Sequence, residues 1–282
     1  MVEDAAVWMA EEAVSAAEGG PPVAVATLIR VPPGTLPLGA KLLVRPDGSR
    51  LGDLGGGPFE QAVAAEAVAA LAGVPRRSFQ ALDYTASGDR VGGAARREAK
   101  SAAVYQVMLE VVEARPVLLV VGAGHVGQAV TRLGDYVGFS VAVLDDRPEF
   151  ASRERLPEAD RIVCGDLVES LRGFPIDIGT YVVVVSRGHR QDELALREVV
   201  TSGAAYVGMI GSRRRAGAVL QHLSEEGFSQ EALKRVRTPI GLNIGAETPE
   251  EIAVSIIGEI IQARRGDTGR AVVEKSAEVR EG

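Results

Sequence analysis

The chain has 282 residues, 46% of them hydrophobic and 24% charged, which fits one large or two ordinary globular domains rather than a disordered chain. Its formal charge is 31 − 38 = −7, which excludes a general nucleic-acid or anionic-membrane binder, since such a protein carries surplus Lys and Arg. A single cysteine, Cys164, excludes a disulfide framework within the chain and any Cys-rich metal site, and three histidines, His125, His189 and His222, leave little for a His-based one.

The first ten residues, MVEDAAVWMA, carry acids where an export signal would carry Lys or Arg. No apolar run reaches the roughly 18–20 residues of a membrane span, so a cytoplasmic protein is expected. Glu3–Glu18 is Ala-rich, has Val7, Trp8 and Val14 at helical spacing, and ends at Gly19-Gly20-Pro21-Pro22. Strand-like runs follow at Val23–Val31, Lys41–Arg45 and Arg50–Leu54, the last two joined by a Pro-Asp-Gly turn. Three glycines, Gly55–Gly57, lead into a helix over Phe59–Ala72, and Ser78–Tyr84 reads as a further strand. Ser87–Ser101 is polar and reads as a loop or linker. Val104–Val112 is ambiguous: Val104, Gln106, Met108, Glu110 and Val112 do not alternate, which leaves a helix open. The domain border is expected between about 100 and 115, giving an α+β domain over 1–112 and a larger one over 113–265.

Beyond Pro116 the pattern turns regular. Apolar runs at Val117–Val121, Val141–Leu144, Arg161–Val163, Tyr181–Val185 and Ala205–Met209 alternate with helical segments, among them Gln128–Val137. Strands this apolar mean a parallel sheet covered on both faces. The expected fold class is therefore α/β, with a C-terminal Rossmann-like parallel-sheet domain and a smaller N-terminal α+β domain. A helix over Pro249–Arg264 has Thr248 as N-cap, Pro249 at the first helical position and Glu251 completing a T-x-x-E capping box. Residues 266–282 are charged, lack a core face and read as a mobile tail.

The chemistry is expected at the carboxyl ends of these strands. Gly122-Ala123-Gly124-His125-Val126-Gly127 follows a buried strand and opens a helix, the context a dinucleotide-binding fingerprint requires. Gly122 permits the tight turn, Gly124 lets backbone approach a phosphate, Gly127 lets the helix pack closely on the strand, and the helix N-terminus faces the anion. Asp145, with Asp146 and Arg147 beside it, ends the second strand 145 − 127 = 18 residues later, where a carboxylate accepts from ribose hydroxyls. That favours NAD or another adenosine dinucleotide over NADP. The alternative is a turn and a solvated acid pair without a ligand. Cys164-Gly165-Asp166 follows the third strand; Asp166 either accepts from an adenine amino group or caps the next helix. Cys164 itself reads as a small buried residue rather than a nucleophile, because no base lies near it. Ser186-Arg187-Gly188-His189 follows the fourth strand, which in a 3-2-1-4-5 sheet neighbours the first, so His125 and His189 converge on one crevice, as ligand contacts or for proton transfer. Gly211-Ser212-Arg213-Arg214 follows the fifth, where arginines at a helix N-terminus oppose the dipole unless an anion or carboxylate sits there. Asn243 lies in the glycine-bracketed loop Gly241–Glu247. Together these residues predict a cationic crevice on an acidic chain; surface ion pairing of the same arginines is the alternative.

Taken in order, GAGHVG, LDDRPEF, SRGHRQDELAL, YVGMIGSRRR and GLNIGAETPEEIAVSIIGEI closely resemble the C-terminal domain of the XdhC/CoxI family of xanthine dehydrogenase accessory factors, across Pro116–Arg265. Gly39-Ala40-Lys41 and GDLGGGPFE (Gly52–Glu60) look like that family's N-terminal domain. The resemblance implies a maturation role toward a molybdenum hydroxylase apoenzyme such as xanthine dehydrogenase: binding molybdenum cofactor, assisting its sulfuration and handing it over. It also leaves a homodimer open. Where the family has Gly-Gly-Cys before a Val-Glu, this chain has Pro58 and Phe59 followed by Glu60; Val91-Gly92-Gly93 stands where it has Cys-Gly-Gly, and Asn243 where an Asp is common, so the N-terminal domain keeps no thiol. Two other readings of the residues are an NAD-dependent oxidoreductase and a nucleotide-sensing module without catalysis.

Overall fold

Residues 2–73, 79–92 and 104–265 are described by a computed structural model, in which the chain divides into two units, Met1–Ala114 and Arg115–Gly282. The first contains α1 (Val2–Ala17), β1 (Val23–Arg30), β2 (Lys41–Val44), β3 (Arg50–Gly52), α2 (Gly57–Ala72), β4 (Phe79–Tyr84) and β5 (Tyr105–Val112). Its strands pair antiparallel in the order β3-β2-β1-β5-β4. The ambiguous segment is β5, not a helix. Its apolar parity is the odd one: Tyr105, Val107, Leu109 and Val111 are buried while the residues between them are half-buried, the period-2 signature of a strand.

Those side chains, with Ala24, Ala26 and Leu28 of β1, pack on Phe59, Val63, Ala67 and Leu71 of α2. The opposite face meets Met9 and Ala16 of α1 through Val23 and Leu43. The turn into α2 needs left-handed backbone at Gly55, Gly56 and Gly57 (φ 93°, 67° and 69°), which glycine adopts without steric cost. Glu60 then reaches back and accepts from the amides of Leu54 at 2.9 Å and Gly56 at 3.1 Å. Phe59 stacks on Tyr105 at 4.7 Å between ring centroids and meets Tyr84 edge-on at 5.9 Å. It is core rather than ligand-facing.

The second unit runs β6 (Val117–Val121), α3 (His125–Tyr136), β7 (Ser140–Asp145), β8 (Arg161–Cys164), α4 (Leu167–Arg172), β9 (Thr180–Val184), α5 (His189–Val199), β10 (Tyr206–Met209), α6 (Arg213–Glu225), α7 (Gln230–Lys234), β11 (Val236–Arg237) and α8 (Pro249–Arg265). Every strand pair is parallel, in the order β11-β10-β9-β6-β7-β8. Numbered within the unit this is 3-2-1-4-5-6, a doubly wound sheet with its switch point between β6 and β9. Alternate residues of β6 serve two cores. Leu118 and Val120 face a layer that includes Ala129 and Val130 of α3 and Ile256 and Ile260 of α8. Leu119 and Val121 face one that includes Leu196 of α5 and Val219 of α6. That is why the strands read as continuous apolar runs.

Strand β11 and helix α7 were not anticipated. β11 has two residues, too few for any period, and α7 is one turn. The T-x-x-E box forms as read: Glu251 N donates to Thr248 Oγ1 at 3.2 Å, and Thr248 N to Glu251 Oε2 at 3.0 Å. The expected tail, 266–282, and residues 93–101 of the polar loop lie outside the described residues. Among the described residues no helix is long and apolar enough to cross a membrane, and no cluster of His, Cys, Asp and Glu could hold a metal ion.

Candidate functional site

The glycines of the β6–α3 turn have separate structural jobs. Gly122 has φ 113°, and a Cβ there would lie 2.6 Å from the Val185 carbonyl oxygen and 2.9 Å from Ser186 Cα. A Cβ on Gly127 would overlap the Gly122 carbonyl oxygen. Both positions are closed by backbone. Gly124 differs: it is extended (φ −66°, ψ −172°), and a Cβ there would meet nothing within 4 Å. Gly124 is also the N-cap of α3, which opens with no side-chain cap and no acidic residue in its first turn. Open space over an uncapped helix N-terminus is what an incoming anion needs. His125 is exposed and Val126 half-buried on that first turn.

Strand β9 lies beside β6, and its loop brings a second uncapped helix start alongside. Gly188 is the N-cap of α5 and makes no side-chain cap. Ser186 Oγ donates to Asp192 Oδ1 at 2.5 Å, and Asp192 is buried. His189 opens α5; its side chain lies outside what is described.

The acids at the end of β7 do something other than wait for a ribose. Asp145 Oδ2 accepts from Ala123 N at 2.7 Å and Arg147 Nη2 at 2.9 Å, and Oδ1 accepts from Arg147 N at 3.0 Å and Nε at 2.8 Å. Its side chain is 3% exposed. Burial alone would raise its pKa, but the Arg147 guanidinium and the two amides outweigh that and hold it below the ordinary carboxylate value. The carboxylate expected to accept from ribose hydroxyls therefore spends its lone pairs on the protein, and Arg147 covers it while stacking 3.7 Å over the Phe150 ring. Asp146 accepts from Arg187 Nη2 at 2.9 Å, so Arg187 bridges from the β9 loop to the end of β7, across the intervening β6. The cavity beneath is about 20 Å³. It is lined by the anticipated Gly122, Asp145, Asp146, Arg147, Ser186 and Arg187, and by Leu167 and Gln191, which the sequence reading missed. Gln191 donates to Asp146 at 3.4 Å; its position in the first turn of α5, right after the β9 loop, was the available signal.

The remaining anticipated residues do not line this cavity, although Gly165 N donates to the carbonyl of Asp145 at 3.3 Å. Cys164 is exposed, not buried: it ends β8, the edge of the sheet, where one side has no neighbouring strand. Gly165 follows it, and Asp166 caps α4, accepting from the amides of Val168 and Glu169 at 3.0 Å each. Gly211 and Ser212 turn the chain into α6, and Ser212 Oγ accepts from Arg215 N at 3.3 Å. Arg213 and Arg214 are exposed on that first turn, and Asn243 is exposed on its loop. None of the three lines the cavity at the glycine turn, so the cationic crevice is smaller than expected and its nearest arginines, Arg147 and Arg187, are ion-paired. The Asn243 loop is instead pinned to α8 by Glu259, whose carboxylate accepts from Gly241 N at 2.6 Å and Tyr206 Oη at 2.8 Å.

Comparisons with known proteins agree with this architecture. The family model for the XdhC Rossmann domain matches residues 118–260, half of the chain, and the model for the XdhC and CoxI family matches residues 16–84. The uncharacterized protein YqeB of Escherichia coli K12 is 32% identical over 94% of this chain and 48% of its own length. A Bacillus subtilis 168 protein, named as a probable subunit of xanthine dehydrogenase, is 31% identical over 56% of this chain and 46% of its own. The chain thus spans about half the length of these two relatives. The molybdenum cofactor insertion chaperone PaoD of E. coli K12 is 25% identical over 89% of this chain and 86% of its own. A crystal structure of a xanthine dehydrogenase from Bacillus halodurans superposes with a TM-score of 0.52 at 21% identity, covering 90% of this chain and 95% of that one, a likeness of fold.

Proposed function

The chain belongs to the XdhC family, and on that premise we propose that it is an accessory factor in the maturation of a molybdenum hydroxylase such as xanthine dehydrogenase. The observation that carries this reading is end-to-end likeness to a molybdenum cofactor insertion chaperone, over 89% of this chain and 86% of that one. The B. subtilis relative, named for xanthine dehydrogenase, supports the same client class. In this reading the chain holds a phosphate-bearing cofactor, of molybdopterin or nucleotide type, and releases it to the apoenzyme.

The phosphate would sit over Gly124, against the first amides of α3, where space is open and no side chain competes. The uncapped start of α5 at Gly188 would supply further donors from the neighbouring strand. A ribose on Asp145 is disfavoured while Arg147 fills that carboxylate, so an adenosine dinucleotide such as NAD would have to displace Arg147 and part the Arg187–Asp146 bridge. This favours a cofactor carrier over an NAD-dependent oxidoreductase. A molybdenum cofactor would bring the metal and its dithiolene chemistry when bound; this chain's residues would anchor the phosphate and keep the ligand exchangeable.

The test is reconstitution. Purified apo-hydroxylase is incubated with molybdenum cofactor, with and without this protein, and activity is followed over time. The reading expects faster or more complete activation with the protein present, and loss of that gain in Gly124→Val. Activation at the same rate and yield without the protein would contradict it.

A further inference from the structure

A second cavity, of about 810 Å³, lies at the far edge of the second unit, beside β11 and α8. It shares no lining residue with the glycine turn, and β11 is three strands from β6 in the sheet. Its size is that of a small-molecule site. Lys234, Arg235 and Arg237 line it. Among the described residues Lys234 and Arg237 make no ion pair, although acids outnumber bases in the chain as a whole. Arg235 is anchored by a bond from Nη2 to the Ala204 carbonyl at 2.7 Å, which leaves its other donors available.

One carboxylate, Glu259, also lines the cavity, with both oxygens engaged by Tyr206 and Gly241. The local balance is 3 − 1 = +2, which matches a phosphomonoester, of charge about −1.5 to −2 at neutral pH. Thr238 is in the lining as well, and its Oγ1 is shielded from solvent and has no hydrogen-bond partner. A shielded hydroxyl without a partner is uncommon and asks for one. Leu242, Pro239, Ala263 and the side of Tyr206 supply apolar wall, which suits an organic body rather than a bare ion. We propose that this cavity binds a small organic phosphate, its phosphomonoester held by Lys234, Arg237 and the Thr238 hydroxyl and its body against Leu242 and Ala263.

Guanosine 5′-monophosphate, guanosine and inorganic phosphate are the probes, each titrated into the isotope-labelled full chain and followed by amide chemical shifts. Saturable shifts at Lys234–Thr238 are expected with the nucleotide and with inorganic phosphate but not with guanosine, and shifts at Leu242 and Ala263 with the nucleotide alone. Lys234→Gln with Arg237→Gln should weaken nucleotide binding at least tenfold. Thr238→Val should weaken it several-fold while thermal stability stays level or rises, since the variant removes a polar atom that has no partner. Gly124→Val should leave these shifts in place, which separates this cavity from the glycine turn. No saturable shift at Lys234–Thr238, or equal binding by the double variant, would overturn the proposal.

Discussion

At the scale of single residues, a carboxylate's value is set by what already surrounds it. Asp145 stands at the position where a nucleotide-binding sheet places a ribose acceptor, yet four protein donors fill it. Asp145→Ala should therefore destabilise the ligand-free protein by about 1–3 kcal/mol, the cost of leaving the Ala123 amide and Arg147 without their acceptor, measurable by urea unfolding. Its pKa is lowered in the folded state. Its contribution is then complete above the unfolded value of about 3.9 and is lost as pH falls through the folded value. Asp145→Asn should flatten that part of the acid side of the stability profile. Glycines at 122, 124 and 127 were legible in the sequence because the fingerprint spacing encodes backbone geometry. Arg147 over Asp145 was not, since the same three residues, Asp145-Asp146-Arg147, would read identically with the arginine turned outward. Gly127→Ala places a methyl against the Gly122 carbonyl and should cost about 1–3 kcal/mol or more through forced backbone shift, whereas Gly124→Val, facing open space, should cost about 1 kcal/mol as a poorer N-cap.

Elements were legible where a cap or a period marks them. The box at the start of α8 is written in four letters, and the structure closes it with reciprocal bonds. Thr248→Ala should lower stability by about 0.5–2 kcal/mol, read from the urea midpoint at unchanged slope, because the amide of Glu251 loses its acceptor. β5 shows how a period is missed. Sampling Val104, Gln106 and Met108 tests the half-buried parity, while the buried parity one residue over alternates strictly. β11 carries no local signal; it is placed by pairing Val236 with Val207 and Arg237 with Gly208, information held in β10 rather than in itself. Its consequence is large, since the 810 Å³ cavity is built against it.

On the scale of the whole molecule, a parallel doubly wound unit and an antiparallel α+β unit are each covered by their own helices. In the first unit β5 alternates between buried and half-buried residues, whereas β6, β7, β9 and β10 of the second are near-continuous buried apolar runs, and the two units meet between Ala114 and Arg115. What composition could not convey is how far the crevice at the switch point is filled by the chain's own ion pairs. The single thiol, Cys164, lies on the exposed edge of the second unit, and the ring of Phe59 is buried in the core of the first. Cys164→Ser should therefore change folding stability by no more than about 0.5 kcal/mol, as exposed substitutions do, and leave hydroxylase activation largely intact; complete loss of activation at unchanged fold would make that thiol functional.

The central claim is that the glycine turn of an XdhC-family protein holds a phosphate-bearing molybdenum cofactor for delivery. Its most direct measurement is the pterin released on denaturing the protein purified from molybdenum-replete cells, quantified by mass spectrometry for the parent and for Gly124→Val. A substantial fraction of parent molecules should carry pterin, and the variant should carry little while unfolding at nearly the same temperature. Absence of pterin from the parent, or equal pterin in the variant, would contradict the account.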